Sequence, residues 1–258
     1  MNWSNAFGLL SSDVGRPLHY RFLKKQRHTV NNAIAKSSKI SNDPVLDQKD
    51  FEWAGRIQKS WEAIRDEALA VCEHREAIPP LREISPDHRR IIRDNRWQSF
   101  FLVGYGNRIA QNISRAPRTA ELVSQIPGLN SAFFSILAPG SVIVPHRGVT
   151  KAFITAHLGL VVPDDQDALW MRIHDQHVHW QEGDWLIFDD TYEHEVRNHT
   201  DKTRIVLLCQ VERPLRYPGK WLASALMRYV KRSQFVREAH DNLDDWEQAY
   251  AEAERSDH

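Results

Sequence analysis

Two histidines, His146 and His194, lie 48 residues apart in settings that suit a metal ion. The first sits in Pro145-His146-Arg147-Gly148. The second sits in Phe188-Asp189-Asp190-Thr191-Tyr192-Glu193-His194-Glu195-Val196. Imidazole binds iron, copper and zinc alike, so the pair alone does not select the metal. Gly148, two residues after the first histidine, has no side chain to coordinate, which leaves room for water or another small ligand. Asp189 and Asp190 could supply a carboxylate ligand. They also fit a turn whose carboxylates orient a ligating histidine from behind, and this second role is the one expected. Glu193 and Glu195 flank His194 on a strand and should point away from it. The alternative for both histidines is a solvent-facing loop position among the 13 histidines of the chain.

Arg204 adds a different chemistry. In Arg204-Ile205-Val206-Leu207-Leu208-Cys209-Gln210-Val211, the residues Arg204, Val206, Leu208 and Gln210 share one face of a strand. Ile205, Leu207, Cys209 and Val211 share the other. Both faces are largely apolar, so the strand should be covered on both sides. A guanidinium there needs an anion, because a buried unpaired charge costs several kcal/mol or more. Its fork geometry matches a carboxylate. That carboxylate could belong to an internal Asp or Glu or to a small ligand. His157 lies on the face Phe153, Thr155, His157, Gly159 of another strand, and Ser135 lies between Phe133 and Leu137 on a third. Pointing the same way as Arg204, they would complete a carboxylate pocket, though each singly could be a satisfied core residue.

The elements that must position these groups are mostly strands. Beyond Gly128, short runs rich in Val, Ile, Phe and Leu cover 131–138, 141–145, 152–162, 168–173, 176–180, 185–188, 193–198 and 203–212. Turn signals such as Pro139-Gly140, Pro163-Asp164-Asp165 and Glu182-Gly183-Asp184 separate them. Many short strands at close spacing predict a closed or sandwiched antiparallel architecture, best a double-stranded β-helix (a cupin-like jelly roll). The predicted class is mainly β with flanking helices. Residues 1–95 form a largely helical flank, 96–215 the jelly-roll core, and 216–258 two helices (about 218–232 and 234–254) on or beside it. In the first flank, residues 1–45 read as irregular with short helices. A helix is expected over 49–74, where Ala54, Ile57, Trp61, Ile64 and Ala68 make one apolar stripe, ended by Pro79-Pro80. Ser85-Pro86-Asp87 reads as a helix start, 96–105 as a strand and 117–125 as a short helix.

With these residues in place, the stretch from about Trp97 to Pro214 resembles the aspartyl/asparaginyl β-hydroxylases, iron(II)- and 2-oxoglutarate-dependent dioxygenases. The most specific segments are His157-Leu158-Gly159-Leu160-Val161-Val162-Pro163 and Trp180-Gln181-Glu182-Gly183-Asp184, with the Phe188 to Val196 segment after them. Ser135 to His146 and His146 to His157 are each 11 residues, and Arg204 stands 10 beyond His194. The resemblance implies that His146 and His194 hold Fe(II) without a protein carboxylate, and that Ser135, His157 and Arg204 hold 2-oxoglutarate. It implies oxidative decarboxylation of that cosubstrate with molecular oxygen and hydroxylation of an unactivated C–H. Animal members have an arginine two residues before the histidine of the His157-Leu158-Gly159-Leu160 segment; here that position is Thr155, with Lys151 or Arg147 as nearby substitutes. The first-ranked substrate is the β-carbon of an aspartyl, asparaginyl or related amino-acid-derived group. A lipid acyl chain at a membrane surface is the alternative, and from another class, a non-catalytic jelly-roll binding module.

Bulk composition narrows the setting. Lys+Arg and Asp+Glu balance at 34 each, which gives no case for nucleic acid. Cys72 and Cys209 have no metal-site spacing, and a reduced, cytoplasmic protein is the simpler expectation. No apolar run reaches bilayer length and no secretory leader is visible at the N-terminus. Contact with a membrane surface stays open. Trp221, Leu222, Leu226, Tyr229 and Val230 interleave with Lys220, Arg228, Lys231 and Arg232 as in a basic interfacial helix. The alternative is a helix docked on the barrel with a solvated basic face.

Overall fold

The computed structural model describes residues 28–84, 89–92, 94–232 and 234–256. Its strands are β1 (Val45–Leu46), β2 (Trp97–Gly104), β3 (Asn107–Arg108), β4 (Leu129–Leu137), β5 (Ser141–His146) and β6 (Phe153–Val161). They continue with β7 (Leu169–Ile173), β8 (Gln176–Val178), β9 (Trp185–Phe188), β10 (His194–Asn198) and β11 (Arg204–Glu212). They make a seven-stranded sheet in the order β1-β9-β6-β11-β4-β2-β3 and a four-stranded sheet in the order β5-β10-β7-β8. From β4 onward the chain crosses repeatedly between the two: β4 large, β5 small, β6 large, β7 and β8 small, β9 large, β10 small, β11 large. All strand pairs are antiparallel. This winding is the double-stranded β-helix that the turn spacing predicts, mainly β with helices on its flanks.

Side-chain alternation divides the apolar residues into two layers. Ile205, Leu207, Cys209 and Val211 of β11, with Ile154, Ala156, Leu158 and Leu160 of β6, face outward onto the helices Glu52–Gln58 and Trp61–Val71. Val206 of β11 joins Phe133 and Leu137 of β4, Met171 and Ile173 of β7 and Val196 of β10 in the space between the sheets. The β11 strand is therefore covered on both faces. Arg204, Ser135 and His157 all fall on the inner one.

Several elements differ from the sequence expectation. The helix foreseen over 49–74 is two, Glu52–Gln58 and Trp61–Val71, broken at Lys59-Ser60. Two strands of two residues, β1 and β3, pair at the sheet edges, and a helix Ala110–Arg115 precedes Pro117–Val123. Strands this short leave no period to read. Residues 28–36 are helical. The expected helix start at Ser85-Pro86-Asp87 and residues 1–27 lie outside the described residues. The terminal helices are Gly219–Lys231 and Gln234–Ser256. Among the described residues no helix is long and apolar enough to cross a membrane. Cys72 and Cys209 are both free.

Candidate functional site

His146 ends β5, His194 opens β10, and the two are direct cross-strand partners in the small sheet. Cross-strand neighbours bring their side chains close together, and the two imidazole rings stand 4.1 Å apart, centroid to centroid. In both, Nδ1 lies 2.9 Å from a carbonyl two residues earlier, Val144 O for His146 and Tyr192 O for His194. A carbonyl can only accept, so each neutral ring donates from Nδ1 and keeps the Nε2 lone pair free. Desolvation, then the neighbouring His194, hold His146 down at about 3; burial likewise lowers His194. Two adjacent, neutral, Nε2-basic imidazoles are what a divalent metal requires.

The third position of such a site is closed to residue 148. A Cβ on Gly148 would fall 2.1 Å from Asp190 Oδ1, and Gly148 N donates to Asp190 O at 2.6 Å. Thr155 Oγ1 stands 3.4 Å from Asp190 Oδ2. Among the described residues no group of three or more His, Cys, Asp or Glu is arranged to hold a metal ion. A metal at this pair would therefore take two protein ligands and keep its other positions for small molecules.

Arg204 is one of the largest fully buried side chains, 1 % exposed, and forms no ion pair with any described residue. Its Nη1 makes long contacts to Ser135 O (3.4 Å) and Ser135 Oγ (3.5 Å), its guanidinium lies 4.9 Å from the Trp180 ring centroid, and its Nε has no hydrogen-bond partner. Burial alone pulls its pKa down to about 9. Beside it, Trp180 Nε1 donates to His157 Nδ1 at 3.2 Å. An indole can only donate, so neutral His157 carries its proton on Nε2, and that buried N–H also lacks a partner. Burial, then the Arg204 charge, then His194 keep His157 well below the usual histidine range. Two buried N–H donors without acceptors, one of them charged, describe a receptor for an anion. Ser135 Oγ accepts from Trp97 Nε1 at 2.9 Å, which leaves its own hydroxyl hydrogen to donate.

The sequence places these groups through close backbone approach. A Cβ on Gly159 would meet Gln181 O at 2.1 Å; Gly159 N donates to Asp184 O, and Gly183 N to Gly159 O. The Gln181–Asp184 turn thus lies directly on β6 and carries Trp180 onto His157. This is why the two motifs belong together. Trp97 and Trp180 are the site residues that sequence reasoning leaves unassigned. Both lie inside the resembling segments, and the signal was an indole whose N–H must find a partner when buried.

Asp189 is wholly buried and paired with both Lys151 and Arg213. Its Oδ1 accepts from Thr191 N (3.0 Å) and Thr191 Oγ1 (2.6 Å). Arg213 also donates to Lys151 O, Ser38 Oγ and Ser41 O, and Tyr192 OH donates to Asn42 O. The turn leading to His194 is thereby tied to residues 38–44. Lys151 is committed to Asp189, and Arg147 is exposed with its Nη2 3.5 Å from Glu193. Neither replaces the arginine that Thr155 displaces. Glu193 and Glu195 face away, bound to Arg172 and Arg197. The internal salt bridge considered for Arg204 is not formed; the acids buried nearby in sequence, Asp189 and Glu195, are taken by other cations.

Comparison with known proteins accords with this geometry. The family model described as aspartyl/asparaginyl beta-hydroxylase matches residues 58–214, which span every residue of the candidate site except those of the 38–44 segment. An ornithine lipid ester-linked acyl 2-hydroxylase of Rhizobium tropici is 44% identical over 220 residues, covering 85% of this chain and 78% of that protein. The aspartyl/asparaginyl beta-hydroxylase of Homo sapiens is 30% identical over 163 residues, 61% of this chain but 21% of that protein. Among solved structures, a Pseudomonas putida prolyl-4-hydroxylase covers 59% of this chain and 87% of its own, at 21% identity and a TM-score of 0.38. With its family model matched over more than half its length, this chain is an enzyme of the hydroxylase class and belongs to the aspartyl/asparaginyl β-hydroxylase family.

Proposed function

We propose that this protein is an iron(II)- and 2-oxoglutarate-dependent dioxygenase that hydroxylates the acyl chain of an amphiphilic lipid. The observation that carries the cosubstrate reading is Arg204: a guanidinium 1 % exposed, without an acidic partner, beside a second orphaned donor on His157. In this reading His146 and His194 hold the metal through Nε2, and Ser135, His157 and Arg204 hold a carboxylate of 2-oxoglutarate. When bound, the ferrous ion with 2-oxoglutarate and molecular oxygen supplies the oxidising power to hydroxylate an unactivated C–H, releasing succinate and carbon dioxide. The protein's contribution is positional. The two carbonyls fix the imidazole tautomers, and Trp180 fixes that of His157. Asp190 fills the volume beside Gly148, with Thr155 against its carboxylate, and its main-chain bond from Gly148 N holds the two ligand-bearing loops together. The apolar lining from Val206, Met171 and Ile173 keeps bulk water from competing for the anion.

For the substrate, the sequence alone ranks an aspartyl or amino-acid-derived group first. Similarity reverses that order: identity is higher, and coverage of both chains far greater, with the lipid acyl hydroxylase than with the human enzyme. The family model keeps a peptidyl or amino-acid substrate as the second reading.

Anaerobic titration with iron(II) and 2-oxoglutarate tests the site. A weak visible charge-transfer band should form, vanish in His194→Ala and weaken sharply in Arg204→Ala; a band unchanged in both variants overturns the assignment. Succinate release that depends on an acyl lipid, with product mass increased by one oxygen atom, supports the lipid reading. The same coupling to aspartyl peptides alone supports the second. Release coupled to no substrate would leave a binding module.

A further inference from the structure

We propose that the surface carrying Tyr217 and Trp221, ringed by basic side chains, docks on an anionic lipid bilayer beside the entrance to the site. The proposal rests on the lipid reading of the substrate and adds how such a substrate is reached.

Charge is separated along the C-terminal segment of an otherwise neutral chain. Residues 214–232 carry Arg216, Lys220, Arg228, Lys231 and Arg232 and no Asp or Glu, whereas the next helix carries seven acids between Glu238 and Glu254 against Arg237 and Arg255. The 28–42 segment packed against the first of these helices likewise adds Lys36 and Lys39, both exposed, and no acid. A surface of one sign attracts the opposite sign.

The helix Gly219–Lys231 has already spent its apolar face. Ala223 and Met227 are buried against Ile34, Ala152, Phe153 and Leu215. Gly219 is pressed so closely on residue 37 that a Cβ there would meet Ser37 Cβ at 2.2 Å. Trp221 and Tyr217 lie outside that contact, 65 % and 76 % exposed. Large amphipathic rings left in water among basic side chains match the headgroup region, where ring and charge are both accommodated. A second copy of this chain docked through the same face would bring like charges together, which disfavours a symmetric dimer as the occupant.

The same support holds the loop that follows His146. Asn31, in the helical 28–36 stretch, donates from Nδ2 to Val149 O (3.4 Å) and accepts from Lys151 N (3.0 Å). Val149 is 60 % exposed, and Arg147 beside it is exposed too. The docking helix, the 28–36 stretch and the metal-site loop are thus one continuous body, and the proposal places Val149 and Trp221 against the same bilayer.

Co-sedimentation of the full chain with vesicles of phosphatidylglycerol and phosphatidylcholine, against phosphatidylcholine alone, tests this. Partition should be about tenfold stronger on the anionic vesicles and fall with salt. Tyr217→Ala with Trp221→Ala should weaken it about tenfold, and Lys220→Glu with Arg228→Glu should do so while flattening the salt dependence. Neither pair should alter the iron and 2-oxoglutarate absorption band. Vesicles should slow amide exchange at 147–151 and 214–224. Wild-type protein that stays in the supernatant overturns the proposal. So does an equal loss in Leu69→Ala, which removes an exposed apolar side chain on the helix Trp61–Val71, or a concentration-dependent dimer abolished by the aromatic pair. Vesicle binding without acyl oxidation would remove the lipid reading and leave the docking surface standing; acyl oxidation without vesicle binding would remove the docking surface alone.

Discussion

Asp189 and Arg204 are both enclosed charges in this protein, and they are treated in opposite ways. Asp189 is met by Lys151, Arg213 and the Thr191 N–H and hydroxyl, so its carboxylate is compensated on every side. Arg204, equally enclosed, has long contacts to Ser135, an indole face, and an Nε–H with no acceptor. Enclosing a charge is tolerable when partners on the chain offset its lost hydration. A network closed on itself is structure: here it fixes the turn that presents His194. An enclosed charge without a partner raises the free energy of the empty protein and stores affinity for an anion that brings the missing acceptors. This difference between the two regions is the physical ground on which the proposed anion site at Arg204 rests.

The largest effect expected is at the closed network. Asp189→Ala leaves Lys151 and Arg213 facing one another without their shared anion, and should cost about 3–5 kcal/mol in urea unfolding. A loss within 1 kcal/mol, roughly the worth of a surface pair, would break the comparison at its first term. Arg204→Met should behave oppositely. It removes an uncompensated charge and keeps most of the side-chain volume, so stability should stay level or rise by about 1–3 kcal/mol. The lost cation–π contact with Trp180 subtracts about 0.5–2 kcal/mol from that gain. Affinity for 2-oxoglutarate, read by calorimetry, should drop about 100-fold, equivalent to roughly 2.7 kcal/mol. Destabilisation as large as that of Asp189→Ala would mean that Arg204 is structural.

The contrast also marks what was legible in the sequence. Alternation along β11, β6 and β4 placed Arg204, His157 and Ser135 on one face, because a period of two survives in strands of nine residues. The meeting of His146 and His194 was implied by the family resemblance alone, because direct cross-strand pairing depends on register, which short strands do not reveal. The closed network was not legible. Arg213 stands just past β11 and Ser38 in a segment without periodicity, and only the folded chain brings them to Asp189. The helix over 49–74 came out as two because an apolar stripe continues in phase across a break, so periodicity alone cannot see Lys59-Ser60. Tautomers were invisible as well: they depend on whether each Nδ1 meets a carbonyl or an indole N–H.

The two regions touch at the neighbouring carboxylates, Asp189 in the network and Asp190 against Gly148. Gly148→Ala would place a methyl carbon on the Asp190 carboxylate, 2.1 Å from Oδ1. Such overpacking should cost about 1–3 kcal/mol and loosen the loop that carries His146. Adding Asp190→Ala should recover most of that cost, giving a coupling energy of about 1–2 kcal/mol in a double-mutant cycle. Purely additive effects would show that the carboxylate moves aside freely and does not hold the loop.

Acid should destabilise the fold through the three buried histidines of the candidate site. His146, His157 and His194 are all held below the usual histidine pKa of 6.5, the first at about 3, each chiefly by burial. Below pH 6.5 the unfolded chain therefore takes up protons at these positions while the native chain does not. With the unfolded state binding more protons, stability is complete above pH 6.5 and declines as pH falls toward the native values. Each histidine adds a slope of up to about 1.4 kcal/mol per pH unit. In metal-free protein, urea unfolding at several values between pH 7.5 and 5.5 reads this slope, and His157→Gln should lower it by one histidine's share. An unaltered slope would mean that His157 charges within the fold, and so has an anionic partner there after all. The receptor would then be closed like the network around Asp189, and Arg204 would have no need of a ligand.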